Sequence, residues 1–151
     1  MFVYILQHGD AVAKDTDPER PLSEHGVRDV RILALHLKNM DVQLDKVYHS
    51  GKLRAEQSAR LVTESLSPDI EPLQRDGLNP NDDPAPVASD IEQMNETILI
   101  VSHMPFVSRL CSVLLTGAAE TQFASTPGTL FCLERADGNW RLAYMLRPDF
   151  L

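Results

Sequence analysis

Three short segments of this chain end in side chains that handle protons and anions. His8 follows the apolar run Phe2 to Leu6, Ser50 follows Asp45 to His49 with Lys52 and Arg54 close behind, and His103 follows Thr97 to Val101. A further cation, Arg20, stands just before the apolar-periodic stretch that opens at Ser23. A neutral imidazole is a competent nucleophile near its ordinary pKa of about 6.5. Guanidinium forks match the oxygens of a phosphate group. Lys52, Arg54 and Arg20 lie near predicted helix starts, where the helix dipole disfavours cations and a bound anion relieves the conflict. Taken singly, each arginine reads as a solvated loop residue or surface ion pair, and each histidine as a turn or core residue. Two histidines and two arginines at equivalent ends of different elements read together as a site, and phosphate is its natural ligand.

The elements that must position these residues are legible from pattern. Phe2 to Leu6 is too short for a helix and apolar throughout, as a strand buried on both faces of a parallel sheet would be. It stops at Gln7-His8-Gly9-Asp10, where ligands bind beyond the carboxyl ends of parallel strands and Gly9 permits close approach. Residues 10–21 read as a surface loop. Ser23 is a good N-cap, Leu22 and Val27 form a hydrophobic staple, and Val27, Val30, Leu33, Ala34, Leu37 and Met40 make an amphipathic stripe. A second strand is predicted at about Asp45 to His49. A helix with Ala55, Ala59, Val62 and Leu66 on one face then stops before Pro68. A short strand at Ile70 to Leu73, a loop over 76–86 and a modest helix from Val87 to Met94 come next. Thr97 to Val101 is a second apolar strand. Pro105 is placed at the first position of a helix that runs to Thr116 and is capped by Gly117. Thr129–Arg135 and Trp140–Leu146 form a hairpin around Ala136-Asp137-Gly138-Asn139. This alternation predicts one three-layer α/β/α domain over residues 1–151, its sheet largely parallel with an antiparallel edge hairpin. All three functional turns then open onto one sheet edge.

Composition narrows the partners. The chain has 151 residues, 43% of them hydrophobic, enough for a single substantial core. Its net charge of −8 argues against nucleic acid or an anionic membrane surface as a partner, so an anionic ligand needs a local cluster of cations. Cys111 and Cys132 have no metal-type or CxxC spacing and read as buried apolar residues in a reducing compartment. The N-terminus lacks a basic region, and no stretch approaches the roughly 20 apolar residues of a membrane span. A cytoplasmic monomer is expected. The carboxylates are scattered, so neither a metal nor another cofactor is implied.

Leu6-Gln7-His8-Gly9, Arg20-Pro21-Leu22-Ser23, Ser50-Gly51-Lys52-Leu53-Arg54-Ala55-Glu56-Gln57-Ser58 and Val101-Ser102-His103 occur in that order. Together they resemble the histidine phosphatase superfamily, and most of all its SixA-type protein phosphohistidine phosphatases. The resemblance implies a phosphoglycerate mutase-like fold and a catalytic set of His8, Arg54 and His103. His8 would be the nucleophile that is transiently phosphorylated. It further implies phosphate contacts from Gln7, Gly9, Arg20, Ser50, Arg54 and His103. The implied substrate is phosphohistidine on a protein. Two departures stand out. The family opens with Arg-His-Gly, whereas this chain has Gln7, whose amide can donate a hydrogen bond but carries no charge; one lost charge-assisted bond corresponds to about 1.5–3 kcal/mol. Gly51 replaces the usual proline after Ser50. No carboxylate matches the family's general acid: Asp82 and Asp83 read as a solvated loop face, and a leaving imidazole needs less proton help than an alkoxide. Two other readings stay open: a catalytically silent phosphate- or phosphoprotein-binding module, motivated by Gln7, and a small-molecule phosphomonoesterase. His25, His36 and His49 read as surface or strand-end residues, Trp140 as a hairpin anchor, and Glu56 and Gln57 as support for their helix.

Overall fold

In the computed structural model, which describes residues 1–151, the apolar runs form the centre of one six-stranded sheet. The strands are β1 (Phe2–Gln7), β2 (Lys46–His49), β3 (Leu73–Gln74), β4 (Ile98–Ser102), β5 (Leu130–Ala136) and β6 (Asn139–Leu146). Their spatial order is β3-β2-β4-β1-β5-β6. The pairs β1–β4, β4–β2 and β2–β3 are parallel, while β5 runs antiparallel to β1 and β6 antiparallel to β5. The hairpin therefore occupies one edge, as expected. Its turn residues Asp137 and Gly138 have φ of 54° and 74°, the two positive values that a tight two-residue turn demands.

Every residue of β4 is buried, as are Val3 to Gln7 of β1. Because side chains alternate across a strand, these runs feed two separate cores. Helices α1 (Glu24–Asn39) and α2 (Leu53–Leu66) cover one face, packing Val30, Leu33, Leu37, Ala59 and Val62 against Tyr4, Leu6, Leu99 and Val101. Helices α3 (Ala85–Glu92) and α4 (Phe106–Thr116) cover the other, with Val87, Ile91, Phe106 and Leu110 against Val3, Ile5, Ile98 and Ile100. Cys111 and Cys132 are buried free thiols, one in each core. Ser23 caps α1 through a hydrogen bond from the Gly26 N–H to its Oγ at 3.0 Å, and Gly117 ends α4 with a φ of 80°.

Several ends shift by a residue or two, among them the end of α3 at Glu92 rather than Met94, and four differences have a local reason. The third strand begins only at Leu73, one residue past Pro72, which has no N–H to give to the ladder. Helix α3 starts at Ala85, inside the predicted loop, because Pro86 is tolerated in a helix's first turn. Helix α4 starts at Phe106, with Pro105 as its N-cap residue after a cis Met104–Pro105 peptide, so the proline precedes the helix rather than opening it. Met40 caps α1 and is 43% exposed, outside the buried stripe. Trp140 anchors the hairpin as expected, its Nε1–H donating to Glu92 Oε1 at 2.6 Å.

Candidate active site

The parallel ladder aligns the strand ends. Gln7 is in register with Ser102, and His49 with Val101, so β1, β4 and β2 deliver His8, His103 and Ser50 to the same edge. The His8 N–H donates to Ser102 O at 3.0 Å, which carries the alignment one residue past the strand. The two imidazoles lie 4.9 Å apart between ring centroids. His8 Nδ1 is 2.7 Å from the carbonyl oxygen of Gly9. A carbonyl only accepts, so Nδ1 carries the proton and Nε2 keeps its lone pair. Arg54, in the first turn of α2, donates from Nε to that lone pair at 3.3 Å. On the other side, Ser50 Oγ and His103 Nε2 form a hydrogen bond of 2.6 Å.

Helix α2 is fastened to β1 by Ser58, whose hydroxyl accepts from Gly9 N–H at 3.0 Å and donates to Arg54 O at 2.8 Å. One serine thus fixes the neighbour of His8 and the backbone of Arg54 together. The loop bearing Arg20 is held by Leu22 N–H donating to Gln57 Oε1 at 2.7 Å and by Arg20 Nε–H donating to Val12 O at 3.2 Å. Arg20 itself has a φ of 49°, a conformation uncommon for a residue with a side chain.

The electrostatics follow from burial and clustered cations. Burial lowers the pKa of His8 to about 4, and the charges of Arg54 and Arg20 push the same way against the Gly9 carbonyl and Asp10. His103, 2% exposed, is lowered to about 3 by burial, then by His8, Arg54, Lys52 and Arg20. Its Nδ1 is buried without a hydrogen-bond partner. Burial, then Arg20, lowers the pKa of the Arg54 guanidinium too. Both imidazoles are therefore neutral at pH 7. None of the protein's ion pairs involves Arg20, Lys52 or Arg54. The N-cap residue of α2, Lys52, supplies no side-chain cap, which leaves N–H groups of the first turn to a ligand. A tetrahedral oxyanion matches this set: clustered cations, a helix start, and an unprotonated nitrogen beside Arg54.

The structure thus brings His8, His103, Ser50, Arg54 and Arg20 into one cluster. Two residues of the sequence-based set are otherwise engaged. The Gly9 N–H is taken by Ser58, and a Cβ on Gly9 would lie 2.8 Å from Val30 Cγ2 and 3.0 Å from Gly26 O; its missing side chain admits α1 rather than a ligand. Gln7 makes no hydrogen bond to the histidines or arginines, and its Oε1 accepts from the Ser125 hydroxyl. Asp82 Oδ2 accepts from Asn79 N–H and Asp83 Oδ1 from Ala85 N–H, the local turn bonds of a loop. Gln57 reaches across to the Arg20 loop instead of serving its own helix, whereas Glu56 pairs with Arg60 one turn on. His49 is a strand-end residue but is buried, and its Nδ1 accepts the Gly51 N–H at 3.1 Å. Sequence reasoning missed Gly26. A Cβ there would sit 2.0 Å from Asp10 O, so α1 lies directly on the turn behind His8. The available hint was a glycine in the first turn of an otherwise regular helical pattern.

Residues 3–79 match the model of the histidine phosphatase superfamily, branch 1. The chain is similar to the phosphohistidine phosphatase SixA of Escherichia coli (strain K12), with 29% identity over 95% of this chain and 94% of that one. Among solved structures it resembles the protein histidine phosphatase SixA complexed with tungstate, with a TM-score of 0.89 and 28% identity over 99% of both chains. The phosphoglycerate mutase of Bacillus anthracis shares the fold, with a TM-score of 0.73 and 16% identity over 94% of this chain and 91% of that one.

Proposed function

We propose that this chain, which belongs to the histidine phosphatase superfamily, is a phosphatase that removes the phosphoryl group from phosphohistidine on a protein. The observation that carries the mechanism is the His8 tautomer: Gly9 O holds the proton on Nδ1, so the Nε2 lone pair faces Arg54 and the cation cluster. In the first step Nε2 attacks phosphorus, the P–N bond to the substrate imidazole breaks, and the departing nitrogen takes up a proton from solvent water. Water then attacks the phosphoryl group on His8, giving inorganic phosphate and restoring the neutral ring. Phosphoryl transfer needs in-line positioning and charge stabilisation more than covalent assistance. Arg54, Arg20 and the start of α2 meet the charge on the transferring oxygens, and His103 supplies a further contact, so the protein's own cations do the work that a metal does elsewhere.

Three points support the phosphohistidine substrate. The curated relative is named for that activity. The SixA structure that this chain resembles is complexed with tungstate, a tetrahedral oxyanion. Residues 75–84, between β3 and α3, form only a short connection, which offers no long segment to close over a small molecule.

The test is to incubate the purified protein with a protein bearing phosphohistidine and, separately, with a generic phosphate ester, following phosphate release. Release from the phosphohistidine protein is expected to be the faster. Labelled substrate is expected to leave an acid-labile, base-stable adduct that His8→Ala abolishes. An equal adduct in that variant moves the nucleophile elsewhere. Phosphate binding with no turnover of either substrate favours a binding module, a reading motivated by the missing charge at Gln7.

A further inference from the structure

The superfamily reading leaves Gln7 unexplained: a neutral amide stands beside the nucleophile, and half of that amide is the wrong chemistry for a phosphoryl group. Its Oε1 is an acceptor and would repel a phosphoryl oxygen, whereas its NH2 can donate to one. The amide is useful only in one of its two flips. Gln7 is 8% exposed and ends β1 in register with Ser102, the residue before His103, so it stands at the strand edge where the phosphoryl site lies. Its Oε1 accepts the hydroxyl proton of Ser125, and its Nε2 donates to no group of the protein. With Oε1 so partnered the NH2 is left free for an anion. A hydroxyl can also accept from an amide, so the anion selects the flip and Ser125 satisfies the carbonyl that then turns away from it.

Ser125 lies in the connection between α4 and β5, far away in sequence, yet its place is well fixed. Along α4, Ser108 Oγ accepts the Phe123 N–H at 2.9 Å and Ser112 Oγ accepts the Thr121 N–H at 3.0 Å, which lays the connection against the helix. Beyond Ser125, Thr126 N–H donates to Thr129 Oγ1 at 3.1 Å. Gly128 N–H then bonds the carbonyls of both Gln7 and His8, at 3.1 and 3.0 Å. The same connection that grips the backbone of the nucleophile therefore presents the Ser125 hydroxyl to the neighbouring amide.

We propose that Ser125 is a positioning residue for phosphoryl recognition. Its hydroxyl anchors the Gln7 carboxamide by partnering Oε1, which leaves the NH2 free for the transferring group, so that a serine–glutamine pair fills the place of the family's arginine. The inference rests on the phosphatase reading above. An arginine has donors on every terminal nitrogen and no carbonyl that needs a partner, so the need for Ser125 exists only while residue 7 is glutamine.

A double-mutant cycle on vanadate affinity and kcat/KM tests this, using wild type, Ser125→Ala, Gln7→Arg and the double variant. In the wild-type background Ser125→Ala is expected to weaken vanadate binding about three- to tenfold, the worth of one neutral hydrogen bond. Ser125→Thr, which keeps the hydroxyl, restores most of that loss. In the Gln7→Arg background the same substitution changes affinity by less than about twofold, which a merely structural role for Ser125 cannot produce. A second readout is the pair of Gln7 side-chain amide resonances, assigned by their absence in Gln7→Arg. They are expected to shift when vanadate is added to wild type and to shift less in Ser125→Ala. Equal losses from Ser125→Ala in both backgrounds, or Gln7 resonances indifferent to vanadate, overturn the proposal. A wild type that binds no vanadate overturns instead the phosphatase reading beneath it.

Discussion

Keeping two imidazoles neutral inside a cluster of cations makes the fold sensitive to mild acid. Unfolded histidines titrate near pH 6.5, whereas His8 and His103 in the folded chain titrate at about 4 and about 3. The folded state therefore binds fewer protons than the unfolded state between those limits, and stability must fall as pH drops below about 6.5 and level off only below the folded values. Between pH 7 and pH 5 each imidazole withdraws about 2 kcal/mol, or about 4 kcal/mol for the pair as an upper bound. With a urea slope of about 2 kcal/mol per molar, the unfolding midpoint should fall by about 2 M over that interval. His49, also lowered by burial, acts in the same direction and leaves a residual slope. The assay is urea denaturation at pH 7, 6 and 5 for wild type and for the His8→Gln/His103→Gln double variant, whose side chains there take up no proton. Saturating phosphate should shrink the wild-type drop, because a bound anion favours the imidazolium forms. A wild-type midpoint that moves by less than about 0.5 M, or an equal fall in the double variant, would refute the claim that these two rings carry the proton linkage.

Arg54→Ala should weaken vanadate binding about ten- to hundredfold, since its guanidinium touches His8 and would make charge-assisted bonds to the anion. Arg20→Ala should cost less, because part of that side chain is committed to Val12 O; a competition titration that finds all three proteins equal would separate the arginines from the site. Gly26→Ala should destabilise by about 3 kcal/mol, the upper end for overpacking, because the new methyl meets the Asp10 carbonyl and not a movable side chain. That corresponds to a melting temperature lower by about 6–12 °C in a scanning calorimeter, and an unchanged value would mean that α1 can lift off the turn behind His8.

The fold was readable wherever one local rule governed a whole element. Phe2 to Leu6 and Thr97 to Val101 are apolar because both faces of the sheet are covered, and that alone implied parallel neighbours and helices on each side. Once the strands are parallel, His8, Ser50 and His103 must share an edge. The errors arose where proline chemistry competed with pattern, at Pro72, Pro86 and Pro105. The supporting residues were hidden for another reason. Ser58, Gln57, Gly26 and Ser125 matter through bonds or contacts that cross between elements, and nothing in their own neighbourhoods says which element lies opposite. Arg54 could be placed because a cation at a helix start is locally wrong; Ser125 could not, because a serine in a loop is locally right.

The ladder between β1 and β4 has a consequence for how such a protein can change over generations. Neighbouring strands in any sheet stand about 4.8 Å apart, and the two rings that follow the Gln7–Ser102 pair are separated by 4.9 Å. The alignment of His8 with His103 at one edge thus begins in main-chain hydrogen bonding, which is indifferent to which apolar side chains fill the space on either face. The two cores are also independent volumes, so each can be repacked by exchange of similar-sized residues without disturbing the other. Sequence drift can then run through most of the interior while the two strand ends stay aligned where the ladder sets them. A chain built in this way keeps its fold even after its amino acids have largely been replaced, as the fold shared at 16% identity with a phosphoglycerate mutase illustrates.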